Sequence, residues 1–180
     1  LHGLLKEGTL LAHCIHLQAE ERKMILESGS VIVHCASSNR FLGSGSMPLR
    51  RYLDENLIVT LGSDVAAGLS LSMLHEAGEA MLTSRALKDK AITPEEILPL
   101  LTTIPAKALK LDKRVQGLEP GKDADFVVFD DSLIHPLAGV YGKKELPYHS
   151  PQERLQRIFF YRGELKAKAV YIAGKQVYPV

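Results

Sequence analysis

Three short, continuous apolar runs punctuate the first third of the chain: residues 8–14 (GTLLAHC), 31–34 (VIVH) and 57–61 (LIVTL). Runs of this length without polar alternation are expected of strands buried on both faces, as in a parallel sheet covered by helices. Helical patterns separate them. Residues 20–28 read as a helix that Gly29 can end in a left-handed conformation, and residues 49–56 carry Leu49, Tyr52 and Leu53 on one face. A longer helix over 71–87 repeats Leu74, Ala77, Met81 and Ser84 at helical spacing. Thr93, Pro94 and Glu96 make a capping box that opens another helix, which Pro105 interrupts. The pattern then changes. Residues 124–129 (ADFVVF) read as a strand, Ser150 and Glu153 open a helix over 152–161 that Gly163 can end, and 167–172 and 176–178 flank a turn at Gly174 and Lys175 as a closing hairpin. The break falls in the charged, Gly- and Pro-containing stretch 111–121. The expected organisation is therefore an α/β unit over 1–112 and a β-rich unit with one helix over 113–180.

Composition narrows the function classes. At 180 residues and 46% hydrophobic content the chain can bury a real core, and a formal net charge of +1 without long like-charge runs implies neither a nucleic-acid nor a membrane partner. No apolar run approaches the ~20 residues of a bilayer span, and no signal-peptide pattern opens the chain. The two cysteines, Cys14 and Cys35, each follow a histidine and suit reduced thiols, so a cytoplasmic location is expected. The chain starts at Leu1 with residues that read like the middle of a domain, which leads to the expectation of further sequence upstream.

His13, His34 and Asp64 each follow a predicted strand. In a parallel sheet all three lie at the C-terminal edge, where barrel enzymes keep their catalytic groups. Imidazole nitrogen and carboxylate oxygen suit zinc binding and general acid–base work alike. The competing roles are a helix cap for Asp64 and satisfied structural side chains for the histidines. His16, in the loop after His13, carries no distinguishing spacing. Cys14 and Cys35 could join His13 and His34 in a closed zinc site, yet paired Cys-x-x-Cys spacing is absent. The stretch 39–46 (NRFLGSGS), flanked by Arg40, Arg50 and Arg51, offers backbone amides for a phosphate. No P-loop Lys-Ser or Lys-Thr pair follows it, so a turn into a helix capped by Ser44 or Ser46 is the simpler expectation.

Taken together, His13-Cys14, His34-Cys35-Ala36-Ser37-Ser38-Asn39, Leu42-Gly43-Ser44-Gly45 and Gly62-Ser63-Asp64-Val65-Ala66-Ala67-Gly68 resemble the later barrel strands of the amidohydrolase superfamily. The stretch 117–130 (GLEPGKDADFVVFD) resembles that superfamily's small β-sandwich. The LGSG loop and the run GSDVAAGLSLSML are most similar to its guanine-deaminating branch. The resemblance implies an α/β fold: the C-terminal part of a metal-dependent hydrolase TIM barrel, about three strand–helix units matching the sixth to eighth strands, plus part of a small β-sandwich domain. It implies that Asp64 ligates the metal, shuttles a proton and contacts substrate. It implies that His13 positions the attacking water and the purine, and that His34 and Asn39 shape the loop after their strand. Ala36 stands where the superfamily commonly has Pro, and Ser63 where it commonly has Thr; neither change removes a catalytic group.

The implied reaction is hydrolytic deamination of guanine to xanthine and ammonia with one zinc ion, iron being the other ion considered. The substrate alternatives are another purine, a pterin or a triazine, the last by chlorohydrolysis. The superfamily's His-x-His pair, its fifth-strand His and the nearby Glu have no counterpart before His13. His2 has no partner two positions on, and His75, His135 and His149 lack the spacing. A closed barrel takes about 250 residues. The chain is therefore expected to bind zinc poorly, to be inactive alone, and to associate with a second copy or with an N-terminal portion. A non-catalytic half-barrel that acts through interaction is the alternative from another class.

Overall fold

The computed structural model describes residues 3–88, 90–130, 150–160 and 165–179. The chain divides into two compact units, Leu1–Leu109 and Lys110–Val180. In the first unit β1 (Leu10–Ala12), β2 (Val31–His34) and β3 (Val59–Leu61) form a parallel sheet in that order, with Leu11 opposite Ile32 and Val33 opposite Thr60. Helix α1 (Ala19–Ser28) joins β1 to β2, and α2 (Ala36–Phe41) and α3 (Leu49–Asp54) join β2 to β3. α4 (Met73–Ala86), α5 (Pro94–Leu101) and α6 (Thr103–Ala108) follow. Parallel strands need such crossovers, and their shared direction brings all three C-terminal ends to one edge. The core gathers Ile32, Val59, Tyr52, Leu49, Met81, Ile97 and Leu100.

Local sequence explains the helix limits. Gln18 and Glu21 box the start of α1, and Gly29 ends it at φ 67°. Thr93 and Glu96 form the expected box on α5, with Pro94 in its first turn. The Arg50 guanidinium, 2.8 Å from Glu96, holds that carboxyl below the usual carboxylate range and ties α3 to the start of α5. α5 breaks at Thr102, ahead of Pro105, because a proline ring collides with the carbonyl four residues back, here that of Leu101.

Three expectations are corrected. Residues 8–14 are not a buried strand: only Leu10–Ala12 is extended, and Leu10 and Ala12 are exposed, because β1 is an edge strand paired to β2 alone among the described residues. Residues 39–41 are helical, since α2 starts directly after β2. Neither Ser44 nor Ser46 caps α3, whose N-cap is Pro48 without a side-chain bond.

The second unit holds an antiparallel sheet, β4 (Phe126–Asp130), β5 (Lys166–Ile172) and β6 (Lys175–Tyr178), in that order, and α7 (Pro151–Phe160). Ser150 Oγ caps α7 by accepting from Glu153 N at 3.1 Å. The β5–β6 turn sits at Ala173 and Gly174, both with positive φ, one residue earlier than expected; two left-handed residues match the twist of a hairpin. The proposed terminator Gly163 and the histidines His2, His135 and His149 lie outside the described residues. Among the described residues no helix is long and apolar enough to cross a membrane.

Candidate active site

Of the three strand-end residues singled out by sequence, His13 and Asp64 come together at the C-terminal edge of the parallel sheet. His13 follows β1 directly, its N–H bonded to Val33 O at 3.0 Å, and its φ of 66° and that of Cys14 at 51° turn the chain sharply away from the strand. After β3, Gly62 donates to His34 O at 3.0 Å, and a Cβ there would meet Val33 Cγ1 at 2.5 Å. Asp64 then adopts φ 46°, and its carbonyl accepts from Ala67 N at 3.1 Å and Gly68 N at 2.5 Å. A Cβ on Gly68 would fall 1.7 Å from Ser63 O, so only glycine closes this turn. Left-handed conformations at non-glycine residues cost on the order of 1 kcal/mol each. Both His13 and Asp64 carry that strain. Asp64 caps no helix, because α4 begins at Met73 with Ser72 as its cap.

His13 Nε2 lies 3.9 Å from Asp64 Oδ2, and both side chains are partly exposed, at 43% and 34%. Their supports come from α2, the short helix that follows β2. Asn39 Oδ1 accepts from His13 Nδ1 at 2.8 Å, and Ser38 Oγ donates to Asp64 Oδ2. Ser37 donates from Oγ to Glu76 Oε1 at 2.5 Å and from its backbone N–H to Glu76 Oε2 at 3.1 Å, which fastens α2 to α4. Glu76 is wholly buried. Tyr52 Oη donates to Cys14 O at 2.7 Å, and His16 Nε2 donates to Ser44 O at 2.9 Å, so both flanking loops are tied down. Ser37, Ser38 and Glu76 were not legible as functional residues. The available signal was a run of small hydroxyl residues immediately after a strand-end histidine.

Other candidates stay apart. His34 ends β2 at the same edge but is buried, and neither ring nitrogen has a hydrogen-bond partner among the described residues; burial pushes it down to about 4, so it is neutral. Cys14 and Cys35 point their thiols at the carbonyls of Leu11 and Val33, each at 3.6 Å. Burial raises both thiols, Cys35 to about 11, which disfavours the thiolate that a zinc ligand requires. No group of three His, Cys, Asp or Glu side chains converges among the described residues. The stretch 39–46 is no phosphate cradle of the expected kind: Arg40 is held by Glu79 at 2.7 Å and Arg50 by Glu96 and Asp54, and α3 has only six residues.

A histidine and an aspartate on the loops that follow the two outer strands of a parallel sheet, both strained and both bonded from α2 between them, form a candidate edge site of the kind hydrolases use. The chain belongs to the amidohydrolase family, whose model matches residues 2–177. Guanine deaminase from Homo sapiens is 34% identical over 190 residues, covering 99% of this chain and 40% of that protein. A 5-methylthioadenosine/S-adenosylhomocysteine deaminase from Pyrococcus furiosus is 40% identical over 164 residues, covering 89% of this chain and 36% of that protein. The crystal structure of guanine deaminase from C. acetobutylicum, with guanine bound in its active site, matches at a TM-score of 0.80 and 31% identity over 98% of this chain and 41% of that one. The chain spans about 40% of the length of the curated relatives it matches.

Proposed function

We propose that this chain contributes one arm of the active site of a cytoplasmic aminohydrolase that converts guanine and water to xanthine and ammonia. The observation that carries the proposal is the pairing of His13 with Asp64 at the C-terminal edge of β1 and β3, 3.9 Å apart. The likeness to guanine deaminases, one of them holding guanine, supports that substrate. The metal implied by the family is zinc, with iron as the alternative. Asp64 is the residue here that would ligate it. The chain does not by itself fit a zinc site, since the ion takes at least three protein ligands in catalytic centres and no group of three donors forms around Asp64 among the described residues.

What the chain's own residues do is bind and move protons. Asp64, partly exposed and held through one oxygen by Ser38, accepts a proton from the attacking water and passes it toward the departing amine. His13, whose Nε2 faces Asp64, orients that water and would contact the purine. The chain alone is expected to bind zinc poorly and to release no ammonia. Metal analysis of the purified chain showing stoichiometric zinc, or ammonia release from guanine, would overturn that part. The sequence preceding Leu1 in its gene tests the rest: a His-x-His pair there, with xanthine formed by the extended chain, supports the proposal, and an extended chain without xanthine formation sinks it. The 40% identity to the Pyrococcus furiosus enzyme favours a second reading, another purine as substrate. Methylthioadenosine and adenosylhomocysteine assayed beside guanine decide between the two.

A further inference from the structure

We infer that Asn39 is a positioning residue for His13, fixing its imidazole with the proton on Nδ1 and the Nε2 lone pair turned toward Asp64. The importance of His13 rests on the proposed function; the hydrogen bond that fixes it does not. An amide oxygen only accepts, so the 2.8 Å contact from Asn39 Oδ1 to His13 Nδ1 requires the hydrogen on Nδ1. A neutral imidazole carries one ring proton, which leaves Nε2 as the acceptor. Nε2 is also the atom 3.9 Å from Asp64 Oδ2. Two acceptors facing one another across that gap select an occupant with hydrogens to give, a water O–H or a purine N–H. In that tautomer Nε2 accepts a hydrogen from the water it orients.

Asn39 is built for this task. It is 2% exposed, its backbone N–H closes on Cys35 O at 3.0 Å, and it sits one residue after the serine that bonds Asp64 and two after the serine that Glu76 anchors. Consecutive residues of α2 thus hold the two candidate catalytic side chains, which belong to two other strand-end loops. The separation of His13 and Asp64 is set from between them.

Long-range proton–nitrogen correlation NMR on the histidine-labelled chain at about pH 8, where ordinary imidazoles are neutral, reads the tautomer directly. His13→Asn identifies the resonances. The expected result is a protonated Nδ1 and an unprotonated Nε2 in the unmodified chain, a switch to protonated Nε2 in Asn39→Ala, and retention of the Nδ1 proton in Asn39→Asp, which keeps an acceptor oxygen in place. A protonated Nε2 in the unmodified chain overturns the inference, whether or not any variant folds. So does an Asn39→Ala chain that folds and keeps the Nδ1 tautomer. The measurement needs neither substrate nor metal, so its failure and a failure to form xanthine are separate results.

Discussion

Glu76 supports the candidate site without touching it. Its carboxylate is wholly buried, and it accepts two hydrogen bonds from Ser37 at the start of α2. Removing the carboxylate strands those donors in the interior, which costs about 1–3 kcal/mol. Glu76→Ala should lower the stability of the first unit by that amount in urea unfolding, and Glu76→Gln, which keeps one acceptor oxygen, by less. His34 gives a pH signature. Burial holds it at about 4 in the fold against an ordinary 6.5, so the unfolded chain takes up a proton that the folded chain refuses. Stability is therefore unaffected by His34 above about pH 6.5 and falls as pH drops from there toward 4, by about 3 kcal/mol in all at 1.36 kcal/mol per pKa unit. Denaturation midpoints across that range should show the slope, and His34→Leu should flatten it.

At the scale of elements, the helix boundaries set by short-range chemistry were readable from the sequence. Thr93 Oγ1 accepts from Glu96 N at 3.3 Å while Glu96 accepts from Thr93 N at 2.8 Å, so Thr93→Ala should cost ~1 kcal/mol. α2 was not readable. Its six residues, ASSNRF, have too short a pattern for periodicity, and serines and asparagine are poor helix formers. Glu76 reaches its first turn from α4 and accepts from the Ser37 N–H, a contact that no short-range pattern shows. The turn after β3 is the opposite case, since GSDVAAG shows its glycines openly. Gly68→Ala has no room for its methyl, and the turn must open to admit it. A loss of at least ~2 kcal/mol is expected, together with a widened separation of His13 and Asp64. A Gly68→Ala chain of unchanged melting temperature would contradict the turn geometry.

For the whole molecule the consequence lies in the sheet edges. Among the described residues β1 pairs only with β2 and β3 only with β2, and Leu10 on the β1 edge is 48% exposed. An open parallel edge with apolar side chains is a template for another strand. We propose that a second copy of this chain takes that place in the absence of other partners. Sedimentation should show association that grows with concentration and that Leu10→Lys reduces. A monomer over the whole range would refute it.

The sequence by itself determined the chain order of the three parallel strands, the capping box at Thr93 and Glu96, and that His13, His34 and Asp64 follow strand ends, because all of these depend on neighbours a few residues apart. It also carried the family, since the motifs around those strand ends are local strings. Only the tertiary structure decided how far apart His13 and Asp64 sit and which atom of each is held from α2. Those depend on Ser38, Asn39 and Glu76, whose partners lie 26 to 39 residues away in the chain and are brought close by parallel pairing and by the packing of α2 on α4. The same folding sealed His34 away from the edge that its sequence position shares with His13.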